Sequence, residues 1–301
     1  MHVALLVIPD CLIVALGWVL LHKLKFSREF FTNTERLVYY ILFPALLIQS
    51  ISSTPISAGS AGRLLAVSLL LCLAGYLAAW LARPLLKPRP IALASLAQCA
   101  YRFNTYIGFS LSAALAGSEG QAIMAVIVGF SVPIANILAV KSLARFQGAN
   151  VWLEILKNPL VLATLTGLLL SFSGLGLEHT LAVTLSKLGN SSIPLGLLCV
   201  GASLSLGGAS QDRGVITWIL AIRLMIMPVF ALALALGLSL SPLETHILVL
   251  FAALPPASAA YILAARMGGD GRCVATAVSA GTVLSVLTIP FWLFIGEKLV
   301  N

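Results

Sequence analysis

Apolar residues run through this chain in long blocks, interrupted by short polar links rather than by alternating polar positions. Blocks of about 20 apolar residues are the length an α-helix needs to cross a bilayer. They predict ten membrane-spanning helices, near residues 4–22, 36–53, 63–83, 90–116, 120–142, 156–174, 181–207, 214–239, 243–265 and 272–296. The links include KLKFSREFFTNTER, RPLLKPRP, GSEG, RFQGANVWLEILKNP and GGDGR, which carry the charges and turn formers expected between helices. A membrane barrel would show period-two alternation instead, which these Leu- and Ala-rich runs lack. The fourth and ninth blocks are the least regular, because polar residues or prolines fall near their middles.

Composition strengthens the picture. Hydrophobic residues make up 60% of the chain, charged residues 9%, and the mean hydropathy is +1.05. A soluble domain carries about 25% charged residues, so most of this surface must face lipid. The predicted class is therefore an all-α integral membrane protein. The net charge of +8 does not point to nucleic acid, because the basic residues gather in short links. On one side lie thirteen Lys and Arg: Lys23, Lys25, Arg28, Arg36, Arg83, Lys87, Arg89, Lys141, Arg145, Lys157, Arg213, Arg266 and Arg272. The other side holds Arg63, Lys187 and Lys298, while Arg102 and Arg223 fall inside spans. That asymmetry predicts a cytoplasmic basic side and both termini outside. The first block has no basic leader and contains Asp10, so it reads as a retained helix. Cys11, Cys72, Cys99, Cys199 and Cys273 stand singly in or beside apolar stretches and read as small core hydrophobes. No metal or other cofactor is expected.

A weak internal repeat appears at an offset of 150 residues. Pro9 matches Pro159, Gly17 matches Gly167, Pro44 matches Pro194 and Arg63 matches Arg213; one residue further on, GSEG from Gly117 matches GGDG from Gly268. The expected organisation is a first five-helix repeat over 1–145, a cytoplasmic linker over 146–155 and a second repeat over 156–301. Five is odd, so the second repeat inserts inverted. Inverted repeats build secondary transporters, with discontinuous helices around a midplane site.

Candidate site residues follow from that expectation. Pro255 and Pro256 remove two backbone donors midway along the ninth block, which should break its helix. Their repeat partners are Thr105 and Tyr106, within YRFNTYIGF of the fourth block. Beside them are Arg102, costly at mid-membrane by about 2.5–3.5 kcal/mol and shaped to grip a carboxylate, and Asn104, which both donates and accepts. Ser258, Gln49, Ser203 and Asn136 complete the candidate set, although small polar groups in spans are as often packing contacts. Arg223 reads equally as a snorkelling or a functional residue. Asp10 reads as interfacial before it reads as a proton carrier.

The ordered motifs FPALLIQSIS, FNTYIGF, NPLVLATLTGLLLS, IPLGLLCVGASLSL, ALPPASAAYILAARMGGD and LSVLTIPFWL together resemble the auxin efflux carrier family over nearly the whole chain. The resemblance implies ten helices in two inverted five-helix repeats with broken, crossing fourth and ninth helices. It also implies a scaffold and a transport domain similar to those of bile-acid sodium symporters. The family's crossover asparagine corresponds to Asn104, and its ninth-helix proline to Pro255 or Pro256. Plant members usually place a proline just before that asparagine, where this chain has Phe103 after Arg102. That departure, with the short link after the fifth span, argues against auxin itself. Bacterial relatives are commonly named carriers of malonate, malate or similar acids. The resemblance thus implies a secondary carrier of a small organic anion, a mono- or dicarboxylate, in a bacterial inner membrane. Its partners would be that anion and membrane lipid, with no nucleic acid and with a homodimer as one admissible assembly. An ion channel and an intramembrane enzyme are the alternatives. Enzyme chemistry is poorly served, because His2, His22, His179 and His246 are scattered and no acidic cluster is present in the sequence.

Overall fold

The structure is a computed structural model, and it describes residues 2–53, 58–143, 159–174, 176–204 and 212–300. The expected linker over 146–155 lies outside the described residues. Among those residues the regular structure is entirely helical. The helices are α1 (His2–His22), α2 (Arg28–Leu37), α3 (Phe43–Ser52), α4 (Ala58–Trp80), α5 (Ala82–Leu86), α6 (Pro90–Leu96) and α7 (Thr105–Leu143). The second half of the chain gives α8 (Pro159–Ser173), α9 (His179–Ser203), α10 (Arg213–Ala221), α11 (Met227–Gly237), α12 (Pro242–Ala253), α13 (Ala259–Arg266) and α14 (Gly271–Val300).

Four helical stretches are long and apolar enough to cross a membrane: Gly59–Leu86, Pro90–Leu143, Arg213–Gly237 and Gly271–Leu299. Shorter apolar helices cover Ile8–His22, Pro159–Ser173 and Pro242–Ala253. Large apolar side chains stand fully outward on these helices, among them Leu12, Leu77, Leu169, Val283 and Leu287. Exposure on this scale has no place on a water-soluble monomer. The chain is a helical membrane protein.

Two compact units emerge, neither continuous in sequence. One comprises Met1–Ala66, Thr105–Val132 and Leu156–Ala202; the other comprises Val67–Asn104, Pro133–Ile155 and Ser203–Asn301. In the first unit α1 and α9 meet at reciprocal glycines. A Cβ on Gly17 would collide with the Leu198 backbone, and one on Gly201 with the Val14 carbonyl. Lipid supplies little hydrophobic drive between helices, so close backbone approach at small residues takes its place. Phe43 of α3 lies edge-on to Tyr106 and Phe109 of α7, at centroid distances of 5.5 and 5.0 Å.

In the second unit α12 packs on α11 and α14, and α10 passes into α11 through a π-helical turn, Ile222–Ile226. Such a turn inserts one extra residue and is frequent at functional sites. Trp292 of α14 pins it by donating from Nε1 to the Leu224 carbonyl at 2.7 Å. The four cysteines Cys72, Cys99, Cys199 and Cys273 are buried, Cys11 is half-buried, and none of the five forms a disulfide.

Candidate functional site

Two helices of the second unit stop in mid-course, each for a local reason. Helix α12 starts on a full capping box: Ser241 Oγ accepts from the Glu244 amide at 3.2 Å, and Glu244 Oε2 accepts from the Ser241 amide at 2.9 Å. It ends where Pro255 and Pro256 deprive the Phe251 and Ala252 carbonyls of their i+4 donors. A residue before proline is pushed out of the helical region, and Leu254 accordingly sits at ψ 144°. Residues 254–258 are non-helical, and α13 then resumes at Ala259. Gly281 of α14 leaves room for the bend, since a Cβ there would stand 2.6 Å from Pro256 Cδ.

The other interruption has no proline. After α6 the chain tightens into a 3₁₀ turn, Ala97–Ala100, and leaves helical geometry at Tyr101 (φ −127°). What holds it open is a bond to the first break: the Asn104 amide donates to the Pro255 carbonyl at 2.9 Å. Phe103 meets Phe251 edge-on, centroid to centroid 4.3 Å. Asn104 itself is buried.

Around this junction the unit gathers a compact polar set. Arg102, half-buried, donates from Nη1 to Gln98 Oε1 at 3.0 Å and from Nη2 to Asn136 Oδ1 at 3.1 Å. Gln98 is fully buried, and its Nε2 donates to the Ser95 carbonyl at 3.1 Å, which turns its oxygen toward the guanidinium. Gln98 and Asn136 are neutral amides, so these two bonds orient the guanidinium without adding charge. Arg223 is 1% exposed. It donates from Nε to the Leu254 carbonyl at 2.7 Å and from Nη2 to the Phe251 carbonyl at 2.8 Å. Its guanidinium carbon lies 5.9 Å from the ring centres of both Phe103 and Phe251.

Of the residues singled out from sequence, Arg102, Asn104, Asn136, Pro255, Pro256 and Ser258 belong to the second unit's two interruptions or contact them. Thr105 and Tyr106 follow at once in the chain but group with the first unit, where the Tyr106 ring packs over Gly196. Gln49 is also in the first unit, its Nε2 3.5 Å from Ser53 Oγ. Ser203 closes α9 and is exposed. Arg223 does not snorkel; it is buried at the break. Asp10 is buried within the first unit, and Ser110 Oγ donates to its Oδ1 at 2.6 Å. Gln98 was open to sequence reading, since it lies one helical turn before Arg102 in an otherwise apolar run.

A second charged group in the same unit binds helix ends together. Arg89, just ahead of α6, donates from Nη2 to Asp270 at 2.8 Å and forms a close ion pair with Asp212, the residue that opens α10. The Cys273 thiol lies 3.5 Å from Asp212 Oδ2. Burial would push the Asp270 carboxyl up, but the Cys273 amide and the Arg89 guanidinium together hold it below its usual range. Those carboxylates push the guanidinium's own pKa upward. The cluster of Asp212, Asp270 and Cys273 is metal-like in spacing, yet it closes around an arginine.

Comparison with known proteins identifies the class. A family model described as membrane transport protein matches residues 141–293. The chain belongs to that family, the one that includes the auxin efflux carriers. It is similar to an uncharacterised transporter of Methanothermobacter thermautotrophicus, 23% identical over 95% of this chain and 96% of the relative. It is also similar to a Rhizobium meliloti protein provisionally named a malonate transporter, 22% identical over 96% of this chain and 94% of the relative. A membrane transport protein, not an enzyme, is thus the established class.

Proposed function

We propose that the chain is a secondary carrier for a small organic anion, a mono- or dicarboxylate, working by alternating access. The observation that carries this reading is Arg102, a half-buried guanidinium steered by two neutral amides beside paired helix interruptions. A guanidinium is a planar fork that fits a carboxylate through two parallel hydrogen bonds. Interrupted helices expose backbone groups that recognise polar solutes where no continuous helix would. In this reading Arg102 supplies the charge, Asn136 and Gln98 aim it, and Asn104 and Ser258 line the junction at Pro255 and Pro256. The relative provisionally named a malonate transporter adds a hint of the substrate class.

The wider architecture belongs to the same proposal. Ten spans would form two inverted repeats, 1–145 and 156–301, with the interrupted α6–α7 and α12–α13 segments as their equivalent fourth and ninth helices. The basic links would face the cytoplasm of a bacterial cell and both termini the outside.

Purified protein in liposomes tests the function. Labelled malonate should enter saturably, be recovered chemically unchanged, and enter faster when unlabelled malonate is loaded inside. Non-saturating flux without that acceleration would indicate a channel and overturn the carrier reading.

A further inference from the structure

The C-terminal end of a broken helix is where secondary transporters commonly bind a coupling cation, because unpaired carbonyls and the negative dipole end converge there. In this chain that end is α12, and Arg223 already reaches two carbonyls there. Proline at 255 and 256 removes the amides that would have served Phe251 and Ala252. Arg223 serves the first of these, donating to Phe251 at 2.8 Å, and donates as well to Leu254 at 2.7 Å. The next carbonyl, of Pro255, accepts the Asn104 amide at 2.9 Å. Three carbonyls around the break thus receive donors from the chain itself, and a full positive charge sits among them.

We propose that the Arg223 guanidinium is the resident cation of the α12 end, standing where a sodium ion would otherwise bind, so that transport runs without sodium at this break. The inference rests on the anion-carrier reading above and adds to it how the break is neutralised. A guanidinium stays charged at physiological pH and is weakly hydrated, which suits it to a buried carbonyl site. The π-helical turn Ile222–Ile226 positions it, and Phe103 and Phe251, each 5.9 Å away, present ring faces that favour a cation. A second cation at these oxygens would meet the first at a few ångströms in a low-dielectric interior, where like charges repel strongly. The arginine also leaves the junction electropositive, which favours an anionic solute beside Arg102.

The test uses the full-length protein in detergent, with sodium exchanged for choline at constant ionic strength. Wild type should show the same thermal midpoint in both salts. Saturable stabilisation of wild type by sodium would overturn the proposal. Arg223→Ala should lower the midpoint, and millimolar guanidinium or methylguanidinium should restore it saturably, whereas choline should not. A folded Arg223→Ala that guanidinium does not restore would mean the arginine serves only as packing, and the proposal fails. Arg223→Lys keeps a cation with poorer geometry; it should retain part of the lost stability and stay indifferent to sodium, and a sodium-stabilised lysine variant would contradict the idea. Because the readout is the midpoint, a failure to bind malonate would count against the anion reading alone and leave this test decisive.

Discussion

The amide of Asn104 and the carbonyl of Pro255, 2.9 Å apart, join two helix interruptions through main-chain atoms alone. Asn104 gives its N–H to this bond and not to a carbonyl one turn back, so α6 and its 3₁₀ turn cannot run on into α7. Pro255 in turn can offer its carbonyl because the helix that would have consumed it has ended. Each break keeps the other open.

That dependence makes the proline pair a direct target. Replacing Pro255 and Pro256 together with alanine returns amides to the Phe251 and Ala252 carbonyls and lets them compete with Arg223. Membrane expression should persist while malonate transport falls severely. Unchanged uptake by the double variant would remove the interruption from the mechanism.

Arg102 owes its position to Gln98 and Asn136, which approach it from different elements. Asn136→Leu and Gln98→Leu each remove one neutral hydrogen bond to a charged donor, worth about 1.5–3 kcal/mol. Malonate affinity should weaken by about tenfold or more, since about 1.4 kcal/mol is a factor of ten. The loss should be smaller than for removing the arginine. Equilibrium binding to purified protein checks the order.

Gly281 faces Pro256, and a Cβ would stand 2.6 Å from its Cδ. A proline ring cannot swing aside like the end of a flexible side chain, so Gly281→Leu should destabilise by about 1–3 kcal/mol and depress transport. Gly214 has nothing within 4 Å of an added Cβ, so Gly214→Ala should leave the thermal midpoint unchanged or slightly raised. Equal losses at the two positions would mean that contact with Pro256 is not what matters.

The Arg89 cluster predicts an acid-sensitive stability. Asp270 has its pKa lowered in the folded state from an ordinary 3.8. Its contribution is therefore complete above that value and is lost as pH falls through the lower folded pKa; Arg89 stays charged throughout and adds no slope. Asp270→Asn should lower the midpoint at neutral pH and flatten its fall on acidification. A variant whose acid limb superimposes on wild type would show that Asp270 is not linked to folding.

Much of the arrangement was legible in the sequence because it rests on local chemistry. Paired prolines stop a helix wherever they fall, and an arginine between apolar runs signals a polar environment. The helical membrane class follows from the scarcity of charge. What escaped was set by partners distant in sequence. Nothing local distinguishes a buried Arg223 from a snorkelling one; the difference lies in the Phe251 and Leu254 carbonyls that receive it. Arg89 reads as one more basic loop residue until Asp212 and Asp270 close on it. Gln49 and Ser203 were singled out by polarity alone; Gln49 lies in the first unit and Ser203 at the end of α9. The Ser110 bond to Asp10 likewise joins residues a hundred positions apart, which no local pattern announces.

The central claim is that Arg102 reads the charge of a small carboxylate. It is tested most directly by equilibrium binding of malonate and of its neutral isostere malonamide to wild type and Arg102→Ala. Wild type should prefer malonate, and Arg102→Ala should lose about ten- to a hundredfold in malonate affinity, equivalent to roughly 1.5–3 kcal/mol of charged hydrogen bonding, while binding malonamide as wild type does. Malonate bound equally well by a folded Arg102→Ala protein would contradict the account.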